Sequence, residues 1–341
     1  MPAAIYVFSL CAFAFGLSEF VVAGLLTAIA DDLDAPISLV GTAIAAYALG
    51  AAIGAPFITA LVAHWRDRHI LLLATVLLGV GSLLMSASPN LMVLLAVRFV
   101  VGLGHGVFMA IGVLSVGGML GLALCMPRGV AEVESTGAGA WKGIKAITHP
   151  QLLITAGIGA LVSIATFSFF TFVSPYLQQV TAVGVQWLSM GMLLFGICAI
   201  AGNLLGGFLA DAMDVDRSIR LALVALALNL LGLYGVASLP VPMMLLIGTL
   251  GICFFAIVTL LTLRLLRQAQ RFIPAYSSVA AGLNIASFNL GTALGGALGG
   301  LTISYASLAS IPLTGASAAV LAVMVLSLQR RRQGQLESSV P

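Results

Sequence analysis

Three ionisable residues stand inside long apolar runs, where a charged side chain is costly. Glu19 lies in the run 3–29, and Arg98 and His105 share the run 91–126. An acidic residue near the centre of a membrane helix costs about 2.5–3.5 kcal/mol on insertion scales, and ionisable residues at such depth generally serve a function. We therefore interpret Glu19 as a carboxyl that binds and releases a proton in step with a ligand, with Arg98 and His105 as further proton-coupling candidates.

Each of these three residues also has a structural interpretation. Glu19 would then be a protonated carboxyl bonded to a neighbouring helix. Arg98 begins about 10 Å from the outer end of its run, so it would snorkel toward the surface instead of pairing with an acid or coupling to protons. His105 would be a core histidine bonded to a backbone carbonyl instead of a titrating group.

Other polar and aromatic residues inside apolar runs are candidates for a ligand cavity. Asparagines there either bind a ligand or form interhelical hydrogen bonds worth about 0.6 kcal/mol each. Aromatic side chains crowd the run 150–177, where they line an apolar cavity or face lipid. Our candidate cavity residues are Phe172, Tyr176, Asn203, Asn284 and Asn289.

The composition identifies an integral membrane protein. Of 341 residues, 61% are hydrophobic and 7% are charged, which is far more apolar surface than a soluble core needs. Runs of about 20 apolar residues recur and alternating ten-residue patterns are absent, so helices rather than barrel strands are predicted to span the bilayer. The net charge of +3 lies in segments too short to form a nucleic-acid-binding domain.

Sequence motifs for chemistry are missing. The chain has no GxSxG, HExxH, CxxC or GxxxxGK[ST] pattern, and its four cysteines lie inside apolar runs. We therefore predict no enzyme, no catalytic residue, no metal site and no cofactor.

Ten apolar runs are long enough to cross the membrane. They span approximately 3–29, 38–63, 70–88, 91–126, 150–177, 186–211, 219–238, 241–264, 275–301 and 306–328. All the Lys and Arg residues except Arg98 fall at one side of this arrangement, so the positive-inside bias predicts that both termini are cytoplasmic.

The run 91–126 has an awkward length, because 36 residues are too many for one crossing and too few for three. Two crossings would place eleven later cations outside, so one crossing is predicted. A helix of that length extends about 54 Å, more than the hydrocarbon thickness. Part of it must protrude, bend or unwind, with weak points at Gly112, Gly117, Gly118 and Gly121.

The hydrophilic segment 127–149 divides the chain into four helices and six. We predict an N-terminal bundle at 1–126, a cytoplasmic linker at 127–149, a six-helix bundle at 150–329 and a cytoplasmic tail at 330–341. Trp141, Lys142 and Lys145 form either a short helix on the inner leaflet or part of a flexible linker.

Two short cytoplasmic turns resemble each other, one after the second helix and one after the sixth. Both follow a helix end of small residues and carry mixed charges, which resembles the repeated loop signature of the major facilitator superfamily. The first copy is degenerate, with His64 near the usual position of Asp. The resemblance implies conformational-switch loops containing Gly54, Arg66, Asp67, Arg68, Gly206, Asp211 and Arg217.

Four further segments resemble the bacterial drug/proton antiporters of that superfamily, the chloramphenicol and arabinose efflux-like group. They are 16–33, 98–106, 172–177 and 282–291. The second is similar to the family's fourth-helix motif, in which an intramembrane Arg followed by a glycine step is associated with proton coupling. Thr27 stands where a proline is usual.

The same resemblance implies an internal deletion. After Gly112 the sequence continues with a segment similar to the end of the family's sixth helix, so the fifth helix and parts of the fourth and sixth are missing. The missing helix normally carries the glycine-proline signature associated with antiport. The expected fold is an all-α membrane bundle of the major facilitator type, with about ten transmembrane helices (four plus six) instead of twelve.

The resemblance implies a proton-coupled secondary transporter that exports a small amphipathic compound, such as chloramphenicol or a sugar. We expect a multi-pass monomer in the inner (plasma) membrane whose partners are protons, substrate and lipid, with the proton gradient as its energy source. The alternative is an internally deleted, transport-impaired protein of the same family. A five-plus-five repeat transporter fits less well, since the linker and the paired loops divide the chain four and six.

Overall fold

The computed structural model describes residues 3–62, 64–125, 148–274 and 279–338, and within these ranges the chain is helical without strands. Ten long helices follow one another in the described part of the chain. They are α1 (Ala3–Asp32), α2 (Ile37–Leu61), α3 (Asp67–Ser86), α4 (Leu91–Cys125), α5 (Pro150–Phe170), α6 (Val185–Ala212), α7 (Val215–Gly235), α8 (Pro240–Phe272), α9 (Val279–Tyr305) and α10 (Ile311–Ser338).

Each predicted crossing corresponds to one of these helices. Nine of the helices in the described ranges are long and apolar enough to span a membrane. The exception, α9, has 27 residues, and its apolar character is diluted by glycines and by Asn284 and Asn289. The chain is thus a multi-pass membrane protein.

Two predicted helix ends are wrong. The eighth helix continues to Phe272 instead of ending at 264, because Arg264 is a buried, bonded residue within it. The last helix continues to Ser338, through the segment that was expected to be a tail.

The run 91–126 forms one unbroken helix, α4, so of the three predicted outcomes, protrusion, bending or unwinding, unwinding does not occur. The stretch Leu91–Ile111 is long and apolar enough to span a membrane, and the helix continues to Cys125. Most of the predicted linker, including Trp141, Lys142 and Lys145, lies outside the described residues.

Glycines allow equivalent helix pairs to pack closely in the two halves. In the first half α2 packs on α4, and a Cβ atom on Gly102 would collide with the carbonyl oxygen of Tyr47. In the second half α6 packs on α8, and a Cβ atom on Gly202 would lie 2.6 Å from the carbonyl oxygen of Ile252. Small residues that bring two backbones together are the usual means of helix association in membranes.

Helix α9 joins the two halves. It packs along α5 in its own half and along α2 in the other, while α5 also contacts α8 and α10. The phenylalanines of α5 form the centre of the largest apolar core, which includes Phe167, Phe169 and Phe170. The first helix, α1, packs against far less of the molecule and lies at the edge of the bundle.

Candidate functional site

A cavity of about 560 Å³ lies between the two halves of the bundle. Helices α1 and α4 form one wall, and α5, α8 and α9 form the other. Five phenylalanines line it, namely Phe20, Phe167, Phe254, Phe255 and Phe288. The cavity extends from the middle of the bundle to Leu266 of α8 and Ala280 of α9, at the end that the charge pattern predicts to be cytoplasmic. A largely apolar cavity of this size suits a small organic ligand.

Glu19 and His105 face each other across the first wall of the cavity. The Glu19 Oε2 and His105 Nδ1 atoms are 3.9 Å apart, and both side chains line the cavity. Among the described lining residues they are the only acidic or basic side chains. The imidazole stacks on the Phe15 ring, with 5.3 Å between ring centroids, and His105 Nδ1 has no hydrogen-bond partner. A small approach, or one bridging water, would let a proton pass between the two groups.

Arg98 holds α4 against α1 and α2. Its Nε donates to the carbonyl oxygen of Ala43 at 3.0 Å, and its Nη1 donates to that of Ser18 at 2.8 Å. The guanidinium also lies 4.5 Å above the centre of the Tyr47 ring. The side chain is fully buried, which excludes the snorkelling interpretation. Because Ser18 precedes Glu19, we interpret Arg98 as a positioning residue that fixes this part of α1 beside the cavity.

The opposite wall carries polar groups that a ligand could use. Asn284 Nδ2 donates to Thr262 Oγ1 at 2.9 Å, and Asn289 Nδ2 donates to the carbonyl oxygen of Ile285 at 2.9 Å. The Asn289 Oδ1 and Ser163 Oγ atoms are buried without a hydrogen-bond partner. The two asparagines were predicted as cavity residues, because asparagine is unusual in an apolar run. Ser163 and Thr262 also line the cavity, but they gave no distinct sequence signal, since such runs often contain small hydroxyl residues.

Three predicted cavity residues do not line this cavity. The Phe172 ring is fully buried, where it packs over Gly41 and Gly299, and Tyr176 is buried against Phe169. The α-helix α5 ends at Phe170, and the turn that follows directs these two rings into the core. Phe167, three residues before the helix end, reaches the cavity instead.

Asn203 is the third of these predicted residues. It is exposed on the outer side of α6, beside the exposed Leu204, and its Oδ1 accepts a hydrogen bond from Thr259 Oγ1 of α8 at 2.9 Å. Its polar group is thus used to join two helices of the same half.

The two halves are hydrogen-bonded to each other near the opposite end of the bundle. The hydroxyl oxygens of Thr27 and Ser174 are 3.0 Å apart, and Gln178 Nε2 donates to both, at 3.0 and 3.1 Å. Thr27 belongs to α1, whereas Ser174 and Gln178 follow α5. This cluster joins the halves on the side away from the central cavity.

The glycines of the two predicted switch loops are packing positions. A Cβ atom on Gly54 would collide with the carbonyl oxygen of Leu103, and one on Gly206 would lie 2.7 Å from that of Ala256. The charged members of both loops lie exposed at the ends of the helices, as Arg66, Asp67, Arg68, Asp211 and Arg217.

In the second loop, neighbours of Asp211 make the ionic contacts. Asp214 Oδ1 accepts hydrogen bonds from the Arg217 backbone nitrogen at 3.0 Å and from Arg330 Nη2 at 3.3 Å. Asp216 Oδ1 accepts from Arg264 Nε at 2.7 Å. The resemblance had emphasised Asp211, whereas these two acids connect α7 to α8 and α10.

The molecule is a bundle of helices, most of them long and apolar enough to span a membrane, with a cavity between its two packed halves. The family model for the Major Facilitator Superfamily matches residues 8–123. The fold is similar to that of the nucleoside transporter NupG, with a TM-score of 0.69 at 14% identity over 94% of this chain and 99% of NupG.

Two curated relatives match nearly the whole chain. The inner membrane transport protein YdhP of Escherichia coli (strain K12) is 28% identical and aligns with 94% of each chain. The chloramphenicol resistance protein of Streptomyces lividans is 28% identical over 89% of this chain and 90% of its own. Over nearly its whole length the chain is thus similar to membrane transporters, and the match to the Major Facilitator Superfamily covers its first part.

Proposed function

We propose that this protein is a proton-coupled secondary transporter of the bacterial cell membrane that exports a small amphipathic compound. The proposal rests on the central cavity. Among its described lining residues, Glu19 is the acidic side chain and His105 is the basic one. A chloramphenicol resistance protein among the relatives supports the direction of transport.

Proton exchange at Glu19 would couple to the movement of the two halves. A carboxylate in a mostly apolar cavity is costly unless it is hydrated or paired, so binding a proton there changes which arrangement of the halves is favoured. The cavity lies toward the predicted cytoplasmic end while the Thr27 cluster joins the halves at the other end, as expected for an inward-facing state. Protons would enter from outside after the halves have rocked to the opposite arrangement, and substrate would leave there.

The cavity favours an amphipathic compound over a sugar. Its walls are dominated by phenylalanine and aliphatic side chains, and the buried polar atoms without a partner among the described lining residues are Ser163 Oγ, Asn289 Oδ1 and His105 Nδ1. A sugar would need hydrogen-bond partners for most of its hydroxyls, since unpaired polar groups are costly to bury. A drug such as chloramphenicol needs fewer.

Substrate-induced proton movement in everted membrane vesicles tests this function. In vesicles acidified inside by respiration, chloramphenicol should release protons through the natural chain. Glu19→Gln should abolish that release, because an amide cannot bind and release the proton. The matched control is Asp31→Asn, which removes an exposed carboxylate from the same helix and should leave the release unchanged. Undiminished release with Glu19→Gln would overturn the assignment of Glu19.

A transport-impaired, internally deleted protein is the second candidate. Two observations favour it. Only 22% of an apolar 18-residue stretch is buried in α1, in α3 and in α6, so these three helices are thinly packed. The alignment with YdhP also runs over 372 positions, more than the 341 residues of this chain, so YdhP has residues without a counterpart here.

Adding a fifth helix separates the two candidates. Between Gly112 and Val113, a variant would carry the YdhP segment that corresponds to the end of the fourth helix, the fifth helix and the start of the sixth. This segment adds two crossings and so keeps the later loops on the same side of the membrane. Both chains would be compared at equal membrane levels. If the natural chain is impaired, only the extended chain will show substrate-induced proton release. Equal release by both would eliminate the second candidate.

A further inference from the structure

A second cavity, of about 760 Å³, lies outside the central one, between α1, α3 and α4. We call it the lateral groove. It extends from Asp32 and Ser88, at the end away from the central cavity, inward to Ser18 and Arg98. Its walls are mainly aliphatic, formed by residues such as Leu17, Val21, Leu25, Leu78, Met85 and Leu94.

The polar side chains along α3 have no free hydrogen to offer a ligand in this groove. Thr75 and Ser82 each donate to the carbonyl four residues earlier in α3, at 2.8 Å. Ser86 and Ser88 likewise donate to Leu83 and Leu84. The groove therefore offers a ligand apolar contact along α3.

Arg98, at the inner end of the lateral groove, is different. Two of its nitrogens are bonded to carbonyl oxygens, while Nη2 is buried with no hydrogen-bond partner. No carboxylate of the described residues forms an ion pair with it within 4.0 Å. A buried guanidinium group with an unused N–H favours an anionic hydrogen-bond partner. Carboxylates form the strongest hydrogen bonds with guanidinium groups.

We propose that the lateral groove binds an amphipathic carboxylate with a single alkyl chain, such as a fatty acid. The aliphatic walls contact the chain, and Arg98 binds the carboxylate through its unused N–H group. Asp32, at the other end, repels an anion and so favours the orientation with the carboxylate inward. This site is separate from the central cavity and does not depend on transport.

The depth of Arg98 favours a fatty acid over a phospholipid. Arg98 is seven residues after the start of α4, so it lies about 10 Å below that end of the helix. A phospholipid keeps its phosphate at the membrane surface, whereas a carboxylic acid enters the apolar layer in its neutral form. The volume of 760 Å³ also falls in the range of roughly 300–1,000 Å³ typical of sites for one small molecule.

Two glycines provide a matched pair of variants. Gly79 lines the lateral groove and Gly16 lines the central cavity, and an added Cβ atom at either position would meet nothing within 4 Å. A leucine at either site therefore begins in open space and extends into one cavity, and it also favours the helical conformation over glycine.

The experiment measures binding of spin-labelled stearic acid to the purified full-length chain in nanodiscs. Gly79→Leu should weaken binding by about tenfold or more, because the leucine occupies the space of the alkyl chain. Gly16→Leu should leave binding within about twofold. Equal affinities in all three proteins, or loss with Gly16→Leu alone, would overturn the proposal.

Competition by unlabelled lipids then tests the head group. Stearic acid should displace the label at about tenfold lower concentration than stearyl alcohol, which has the same chain without the charge. Phosphatidylglycerol, a phospholipid with an anionic head group, should compete no better than stearyl alcohol. Equal competition by acid and alcohol would refute the role of Arg98, and stronger competition by phosphatidylglycerol would refute the single-chain ligand. These experiments measure binding and not transport. A negative result in either of them would therefore contradict the lateral-groove proposal without bearing on the proposed export function.

Discussion

The first helices of the two halves, α1 and α5, have similar mean hydropathy, 1.9 and 2.0, but very different surroundings. Of an 18-residue apolar stretch, 22% is buried in α1 and 67% in α5. On α1, side chains such as Leu10 and Phe13 are more than two-thirds exposed. Hydropathy alone therefore does not show whether a membrane helix faces protein or lipid.

Besides α1, the helices α3 and α6 are thinly packed. Helices α2 and α8 each have 56% of their apolar stretch buried, whereas α6, like α1, has 22%. The halves are joined through α2 and α9 on one side, and α6 has little contact with the first half on the other. A missing fifth helix, as the family resemblance implies, would account for the difference between these two sides.

The largest expected effect comes from a matched pair of phenylalanines in α1 and α5. Phe169→Ala should destabilise the protein by about 3–5 kcal/mol, because it leaves a cavity in the core. Phe13→Ala removes a ring that is 67% exposed and should change stability by less than about 0.5 kcal/mol. Thermal unfolding in detergent measures both.

Equal losses of stability from the two phenylalanine variants would contradict the conclusion that α1 is more exposed than α5. They would mean that α1 is covered by other parts of the protein in solution, for example by a second copy of the chain.

An intermediate effect is expected from the buried arginines of the two halves. Arg98 bonds α1 to α4, and Arg98→Lys would lose this link, since one ammonium group cannot reach both Ser18 and Ala43. Amide hydrogen exchange in α1 should rise about tenfold, corresponding to about 1.4 kcal/mol.

The matched control for the first half is Arg264→Lys in the second. Arg264 bonds Thr155 of α5 at 2.7 Å and Gln329 of α10 at 2.9 Å, but apolar packing also holds α5. Exchange in α5 should therefore change by less than about threefold. A larger change in α5 than in α1 would show that hydrogen bonds, not packing, distinguish the two helices.

The smallest expected effect is at Thr27, where α1 contacts the second half. Thr27→Val keeps the shape of the side chain and removes its hydrogen bonds to Ser174 and Gln178. At about 0.6 kcal/mol for each of these two interhelical bonds, the joined state should lose roughly sevenfold in population.

Spin labels at the exposed positions Asp34 and Gln186 would report this change as a larger fraction of long distances. The measurement requires a variant with its cysteines replaced by alanine. An unchanged distance distribution would show that the Thr27 cluster does not hold the halves together.

The candidate site was partly predictable from the sequence. Glu19 and His105 stand out because an ionisable residue in an apolar run is costly wherever it faces. Their 3.9 Å proximity depends on the packing of α1 against α4, and nothing in the spacing of the two residues reveals it. Asn203 and Asn284 had the same sequence signal, yet one lies on the outer surface and the other lines the cavity.

The sequence by itself determined that this is a helical membrane protein, where its ten long helices lie, and that the run 91–126 is a single helix. Only the tertiary structure decided that Phe167 rather than Phe172 lines the cavity, that Arg98 bonds to carbonyl oxygens, and that α1 is exposed while α5 is buried. The physical reason is that lipid tails are as apolar as a protein core. A membrane helix therefore carries apolar residues on all its faces, and its partners are set by shape and hydrogen bonding between helices.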